Sequence, residues 1–334
     1  MDLPSCDDRR IWDVWMSHYH FPTLAVANDV GLFAFLAKKA ATPEQTAKAL
    51  KLGPRATEAL LGVLNSLGFV ERRGGKFHVT EVMRHFLVPG APYYWGGMLS
   101  FIQDMAITRK TLKEALLKDR PMAYQGKDMW ETHEMDARQA EVFTAAMHTR
   151  SMHVAVATAM RGDFAGVRRL LDVGGGSGCY PIALALRHPD LRATIMDLKV
   201  VCPIAEKYIA EAGLSDRIDT LALDMFRDRW PKGYDAVFFS NIYHDWGRKR
   251  CLRLTKSSFG ALPRGGRIFI HEMLINDTLD GPLVPATNSM HMMFFTEGKQ
   301  YSAAEFESML GKAGFRDMTI TPTYGYYSLV SAIK

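Results

Sequence analysis

The sequence predicts an α/β fold: a doubly wound, mostly parallel seven-stranded sheet closed by an antiparallel hairpin, with a helical domain ahead of it. Three observations carry that expectation. Apolar spacing is helical through most of the first 160 residues, then gives way to short apolar runs alternating with helical stretches. The first run leads into a glycine loop, Leu171-Asp172-Val173-Gly174-Gly175-Gly176-Ser177-Gly178. At or just past the carboxyl end of each of the next four runs stands an acid or a histidine.

The front of the chain reads as packed helix. From Trp12 to Ala37 apolar residues recur at helical spacing, with Val26, Val30, Leu32, Phe33, Phe35 and Leu36 supplying most of the apolar surface. Thr42-Pro43-Glu44 combines an N-cap, a proline in the first turn and an acid, and opens a helix to about Leu50. A second helix starts at Pro54 and carries Ala59, Leu60, Val63, Leu64 and Leu67 before Gly68. Phe69-Val70-Glu71 and Lys76 to Thr80 then flank Gly74-Gly75 as a small hairpin. Helix, helix, hairpin is a winged-helix pattern. The Pro54 helix offers only Arg55, Glu58 and Asn65 as charged or amide groups, too few for reading a DNA groove. A dimerisation role for residues 1–95 is expected instead, with 96–160 as a helical linker and 161–334 as the α/β domain.

The linker is rich in methionine and aromatics, among them Phe101, Met105, Trp130, Phe143, Met147 and Met152. These side chains either pack as core or roof a site for a planar apolar ligand. Beyond it, strands are expected at Arg168 to Val173, Ala193 to Asp197, Ile218 to Leu223, Tyr234 to Ser240 and Arg267 to Met273, separated by helical crossovers. A helix at Ala303 to Ala313 precedes Arg316 to Thr321 and Tyr326 to Ile333, which face each other across Thr323-Tyr324-Gly325.

Composition bounds the function. The 334 residues suit two domains, and 48% hydrophobic with 23% charged residues is ordinary globular usage. A net charge of +5 without a basic block gives no reason to expect nucleic acid or an anionic membrane. Cys6, Cys179, Cys202 and Cys251 lack metal-site or disulfide spacing, and the polar start, Met1 to Arg10, is unlike a signal peptide. A cytoplasmic protein is expected.

The glycine loop lets a nucleotide-like ligand approach the backbone where a side chain would block it. A dinucleotide pattern would need a small residue where Cys179 stands, which disfavours NAD. Asp197 follows Gly176 by 21 residues and ends the second strand, where a carboxylate accepts both ribose hydroxyls of an adenosine. Asp224-Met225 would meet the adenine, and Asp172 a cationic amino-acid group. This acid-rich rim suits S-adenosylmethionine better than a pyrophosphate. After the fourth strand, His244 in Asn241-Ile242-Tyr243-His244-Asp245-Trp246 stands at the edge where open α/β sheets bind ligands, and Glu272 ends the strand next door. A histidine oriented by a carboxylate can accept a proton near neutral pH.

These motifs, with Leu198 and the Leu262-Pro263-Arg264-Gly265-Gly266 turn, resemble the class I S-adenosylmethionine-dependent O-methyltransferases of the caffeic acid and acetylserotonin (hydroxyindole) type. Thr296-Glu297-Gly298 and Ser302 to Phe315 are most similar to the acetylserotonin branch and its bacterial natural-product relatives. The resemblance implies a Rossmann-like methyltransferase domain behind a winged-helix-like dimerisation domain, and a homodimer. It implies that Asp172, Gly174, Gly176, Asp197, Leu198, Asp224, Met225, Met147, Ser151 and Ser240 hold S-adenosylmethionine. It implies His244 as base with Glu272, and a substrate pocket of Asp245, His291, Phe295, Phe143 and Gln300. Two positions depart from the pattern: Gln300 replaces a glutamate that flanks the histidine, and Ser240 replaces a lysine near the adenine in plant members. A neutral amide stabilises imidazolium less than a carboxylate does.

The function implied is metal-free methyl transfer to a hydroxyl of a small, planar, aromatic acceptor. Methylation of carbon or nitrogen is the alternative, including metal-assisted methylation beside a 2-oxo acid's carbonyl, since His244, His291 and Asp245 have the ligand types of a 2-His-1-carboxylate site. An NAD-linked reductase and a DNA-binding regulator are remoter readings.

Overall fold

The structure is a computed structural model that describes residues 4–103, 107–123, 130, 132 and 135–334. Met105, named in the methionine-rich stretch, lies outside them. The chain divides into two compact units, Met1–Ala106 and Ile107–Lys334.

In the first unit the helical run from Trp12 to Ala37 is three helices, Arg9–Ser17, His20–Asp29 and Leu32–Lys38; Gly31, at a left-handed φ of +74° that no helix continues through, separates the second from the third. Leu32, Phe33 and Leu36 are buried, while Val26 is 50% exposed. Pro43–Leu50 opens with a reciprocal capping box between Thr42 and Gln45. In Pro54–Ser66 the buried face is Thr57, Leu61 and Leu64, at i, i+4 and i+7, while Ala59 and the C-cap Leu67 are exposed. Strands β1 (Val70–Arg73) and β2 (Lys76–Val79) pair antiparallel around Gly74 and Gly75, both at positive φ, as a two-residue hairpin turn demands.

The second unit is a seven-stranded sheet of β3 (Arg169–Val173), β4 (Arg192–Asp197), β5 (Ile218–Ala222), β6 (Ala236–Ser240), β7 (Arg267–Met273), β8 (Arg316–Tyr324) and β9 (Tyr327–Ile333). Its order is β5-β4-β3-β6-β7-β9-β8, parallel except at β9 and β8. β4 and β6 flank β3 on opposite sides, so the loops after β3 and β6 diverge and leave the crevice in which such sheets bind ligands. Apolar cores cover both faces, one around Phe239, Tyr243 and Phe306, the other around Phe164, Ile195 and Phe238. One expected crossover is absent: no helix joins β5 to β6. Asp224 accepts the amides of Phe226 and Arg227 there, which fixes a turn in place of a helix, and Pro231 follows.

Among the described residues no single helix is long and apolar enough to cross a membrane, and all four cysteines are free.

Candidate active site

The glycine loop links β3 to the helix Cys179–Arg187, with Gly174, Gly176 and Gly178 all at left-handed φ. A Cβ on Gly174 would lie 2.4 Å from Ile242 Cδ1, and one on Gly175 would lie 2.3 Å from Asp172 Oδ2; beside Gly176 the space is open. The loop is thus shut against the sheet on one side and bare on the other. The Gly176 amide donates to Asp197 Oδ2 at 2.8 Å and the Leu198 amide to Oδ1 at 2.7 Å, which ties the end of β4 to the loop. Burial pushes the Asp197 carboxyl up, against the pull of these two amides.

Asp172 is 1% exposed and its Oδ2 has no hydrogen-bond partner among the described residues. Burial, with Asp197 nearby, raises its carboxyl well above the usual range. A buried, unpartnered carboxyl beside an open glycine backbone is what a cationic amino-acid group would satisfy, so the residues present fit S-adenosylmethionine.

Asp224 stands beyond β5, not at its end, and its Oδ2 lies 3.3 Å from Arg227 Nε. Half-buried Met225 accepts the Trp230 indole N–H through its carbonyl. Ser240 Oγ lies 3.2 Å from His271 Nδ1 and accepts from Asn241 Nδ2 at 3.1 Å, which draws this hydroxyl into a network around His271.

His244 sits in a short 3₁₀ turn, Tyr243–Asp245, just past β6. Its Nδ1 lies 2.7 Å from Glu272 Oε2 on the neighbouring strand β7, and its own amide donates to Oε1 at 3.3 Å. Two contacts from one carboxylate fix the ring and place the proton on Nδ1. Nε2 has no hydrogen bond among the described residues; Asp245 Oδ1 is 3.7 Å away. Burial pulls the imidazole down, but Glu272 and Asp245 outweigh it and hold it above its ordinary value. Burial in turn pushes Asp245 up to about 7.

Around this pair, His291 packs on Phe295 with centroids 4.4 Å apart, and burial lowers it to about 4. Phe143 meets Trp130 edge-on, and Trp130 lies 6.3 Å from Trp246. Gln300 is 1% exposed, with both polar atoms of its amide unpartnered among the described residues, and its backbone N–H donates to Ser289 Oγ. Gly298 packs on the His244 backbone so closely that a Cβ would lie 2.0 Å from the His244 carbonyl. Among the described residues no group of three or more His, Cys, Asp or Glu is arranged to hold a metal ion.

The long helix Ala137–Arg161 brings Met147 and Ser151, one turn apart, and two residues that the sequence reading did not single out. His148 Nδ1 lies 2.8 Å from Ser177 Oγ of the glycine loop, its ring stacked on Tyr208. Arg150 projects a charge felt at His244, Asp245 and His291. Both lie within the Met147–Ser151 turn, which was the one available signal.

A glycine loop joined to an acid at the end of the second strand, with a carboxylate-held histidine two strands over, defines a site for an adenosyl ligand and a proton acceptor beside it. Comparison with known proteins agrees. The chain belongs to the O-methyltransferase domain family, whose model matches residues 110–316. It is 39% identical over 298 residues to 3-hydroxy-5-methyl-1-naphthoate 3-O-methyltransferase of Streptomyces sahachiroi, covering 87% of this chain and 85% of that protein. It is 30% identical to L-tyrosine C(3)-methyltransferase of Streptomyces lavendulae, covering 90% and 84%. The solved structure of the S-adenosylmethionine-dependent methyltransferase SibL superimposes with a TM-score of 0.82 at 28% identity, covering 97% and 98%. The chain is an S-adenosylmethionine-dependent O-methyltransferase.

Proposed function

We propose that the acceptor is a small, planar, aromatic molecule bearing a hydroxyl, and that His244, held by Glu272, is the base that takes its proton. The observation that carries this is the 2.7 Å His244–Glu272 pair, which leaves Nε2 as the free nitrogen at the sheet edge. The hydroxynaphthoate relative acts on such a hydroxyl. Asp172, Gly174, Gly176, Asp197 and Leu198 hold the cofactor, with Met147, Ser151, Asp224, Met225 and Ser240 bordering it. Bound there, S-adenosylmethionine supplies an electrophilic methyl group on a sulfonium. As the acceptor oxygen bonded that methyl, the methyl–sulfur bond would break and S-adenosylhomocysteine would leave with the sulfur's electron pair, while His244 Nε2 would receive the hydroxyl proton and Glu272 would stabilise the resulting imidazolium. A phenol's pKa of about 10 exceeds the value of about 6.5 for a free histidine, so proton transfer is coupled to methyl transfer. Phe143, Phe295 and His291 shape the pocket, and alignment contributes at least as much as basicity.

The carbon-methylating relative suggests a second reading on the same machinery. A ring carbon next to a deprotonated hydroxyl is also nucleophilic, so the same base serves either outcome. The carbon shift of the new methyl group, read by NMR on the product, separates the two.

We also propose a homodimer through residues 1–95, followed by a 96–160 linker and a 161–334 catalytic domain. The Arg9–Ser17 helix buries none of its residues and exposes Ile11 (72%), Trp12 (48%), Val14 (75%) and Trp15 (58%), a face suited to a second copy. Light scattering at micromolar concentration should give twice the chain mass. Four free cysteines suit the reducing cytoplasm, where we place the enzyme.

Asp197→Ala tests the cofactor half. Titration calorimetry should show S-adenosylhomocysteine binding weakened at least about tenfold, as losing ~1.4 kcal/mol requires. Unchanged affinity would remove Asp197 from the site.

A further inference from the structure

Among the described residues Arg150 is a cation without an ion-pair partner in the acceptor region. It lies on the turn of the Ala137–Arg161 helix that carries Met147 and Ser151, between His148, which meets the glycine loop at Ser177, and His153, which lies edge-on to Tyr324 at 5.2 Å. The side chain is half-buried, and its Nε is buried without a hydrogen-bond partner. Its guanidinium makes no ion pair among the described residues, whereas Arg161, on the same helix, donates to the Thr323 carbonyl.

A guanidinium drawn away from water without a counter-charge is costly unless a ligand supplies one. Its neighbours show where that ligand would lie. Arg150 lowers the proton affinity of His244, Asp245 and His291, and also of His153, Tyr180 and Tyr327, while Asp172 and Asp197 beside the glycine loop carry no such effect. The charge therefore reaches the histidines and acid of the acceptor half of the site. Gln300, with both amide atoms buried and unpartnered, adds an uncharged donor and acceptor to the same half.

We infer that the acceptor carries a carboxylate that Arg150 binds, so that the substrate is a hydroxyaryl acid and not a neutral phenol. A planar guanidinium matches a carboxylate with two parallel hydrogen bonds, and a single cation balances a single negative charge. Holding the acid at Arg150 while the hydroxyl meets His244 Nε2 fixes the ring at both ends, which aligns the oxygen and discriminates against phenols lacking the acid. The inference rests on the acceptor reading proposed above.

The test is calorimetric titration of protein loaded with S-adenosylhomocysteine, using 3-hydroxybenzoate, 3-hydroxy-2-naphthoate and the methyl ester of each. At least one acid should bind ten times more tightly than its ester. Arg150→Met should abolish that preference, Arg150→Lys should keep part of it, and affinity for S-adenosylhomocysteine should stay within twofold in both variants. Equal binding of acids and esters, or no binding of any acid, would overturn the inference. So would an Arg150→Met variant that loses S-adenosylhomocysteine instead, since the arginine would then serve the cofactor. If Arg150→Met does not fold, the wild-type acid-to-ester ratio and Arg150→Lys decide. Mass spectrometry of turnover mixtures separates this inference from the reading beneath it. O-methylation of 2-naphthol and the esters with the acids neither bound nor methylated defeats Arg150 alone; an acid that binds through Arg150 but gains its methyl on carbon defeats the oxygen assignment alone.

Discussion

Two buried histidines meet at neighbouring positions of β7, one being its His271 and the other held by its Glu272, and they come to opposite chemical ends. His271 points to one face of the sheet, where Nε2 meets Thr158 Oγ1 at 3.0 Å and Thr323 Oγ1 at 2.8 Å, and Nδ1 meets Tyr180 OH and Ser240 Oγ at 3.2 Å each. Its ring stacks on Tyr327 with centroids 4.9 Å apart and planes 4° from parallel. The next residue, Glu272, points to the other face, as strand alternation requires, and meets His244 at 2.7 Å. Both histidines are buried, at 0% and 6% exposure. Burial drives His271 down to about 3, while the carboxylates around His244 hold it above its ordinary value. Burial alone therefore does not make a histidine structural or reactive; the partner does. Neutral hydroxyls lock one ring as an uncharged strut, and a carboxylate prepares the other to accept charge.

The largest effect expected from this contrast is on turnover. His244→Ala should lower kcat roughly 10²–10⁴-fold, the usual loss for a general base, with S-adenosylhomocysteine affinity unchanged. His271→Ala should do the reverse. Four hydroxyls lose their shared partner and a cavity opens beneath Tyr327, so chemical denaturation should show a loss of roughly 2–5 kcal/mol with activity per folded molecule nearly intact. A His271→Ala protein that keeps its stability and loses its turnover would break the comparison.

Acid should then expose the difference without mutation. His271 is depressed in the folded state and takes a proton near 6.5 when unfolded, so its contribution is fully present above pH 6.5 and is lost as pH falls toward 3. The denaturation free energy should drop by up to about 1.4 kcal/mol per pH unit from this residue, a slope that His271→Ala flattens. His244, raised in the folded state, contributes in the opposite sense: its stabilisation is present below 6.5 and is lost as pH rises through the folded value. Smallest in size is the effect of Glu272→Gln. Removing the carboxylate that stabilises imidazolium should shift the acidic limb of kcat/KM to lower pH and reduce kcat about tenfold, from a loss of ~1.4 kcal/mol.

The sheet side of this account was legible in the chain. Asp197 after the glycine loop and Glu272 at the end of a strand beside His244 are fixed by strand order and spacing, and both reach their partners through backbone-defined geometry. His271 carried no such signal. Its role depends on Thr158 and Thr323, 113 and 52 residues away, which no local pattern connects. The same holds for Asp224, whose carboxylate caps its own turn, a competition between local and ligand contacts that periodicity does not register. Arg150 was invisible for another reason. On a helix read as methionine-rich packing, one arginine looks like a solvated charge until the absence of a partner among the described residues is seen.

The most direct test of the central claim is a nitrogen NMR titration of histidine-labelled protein from pH 4.5 to 9, with His244→Gln and His271→Gln to assign the two signals. The account predicts that His244 carries its neutral-form proton on Nδ1 and titrates above 6.5, moving down in Glu272→Gln, while His271 stays neutral across the whole range. Two histidines titrating together near 6.5, or a His244 signal unmoved by Glu272→Gln, would contradict it.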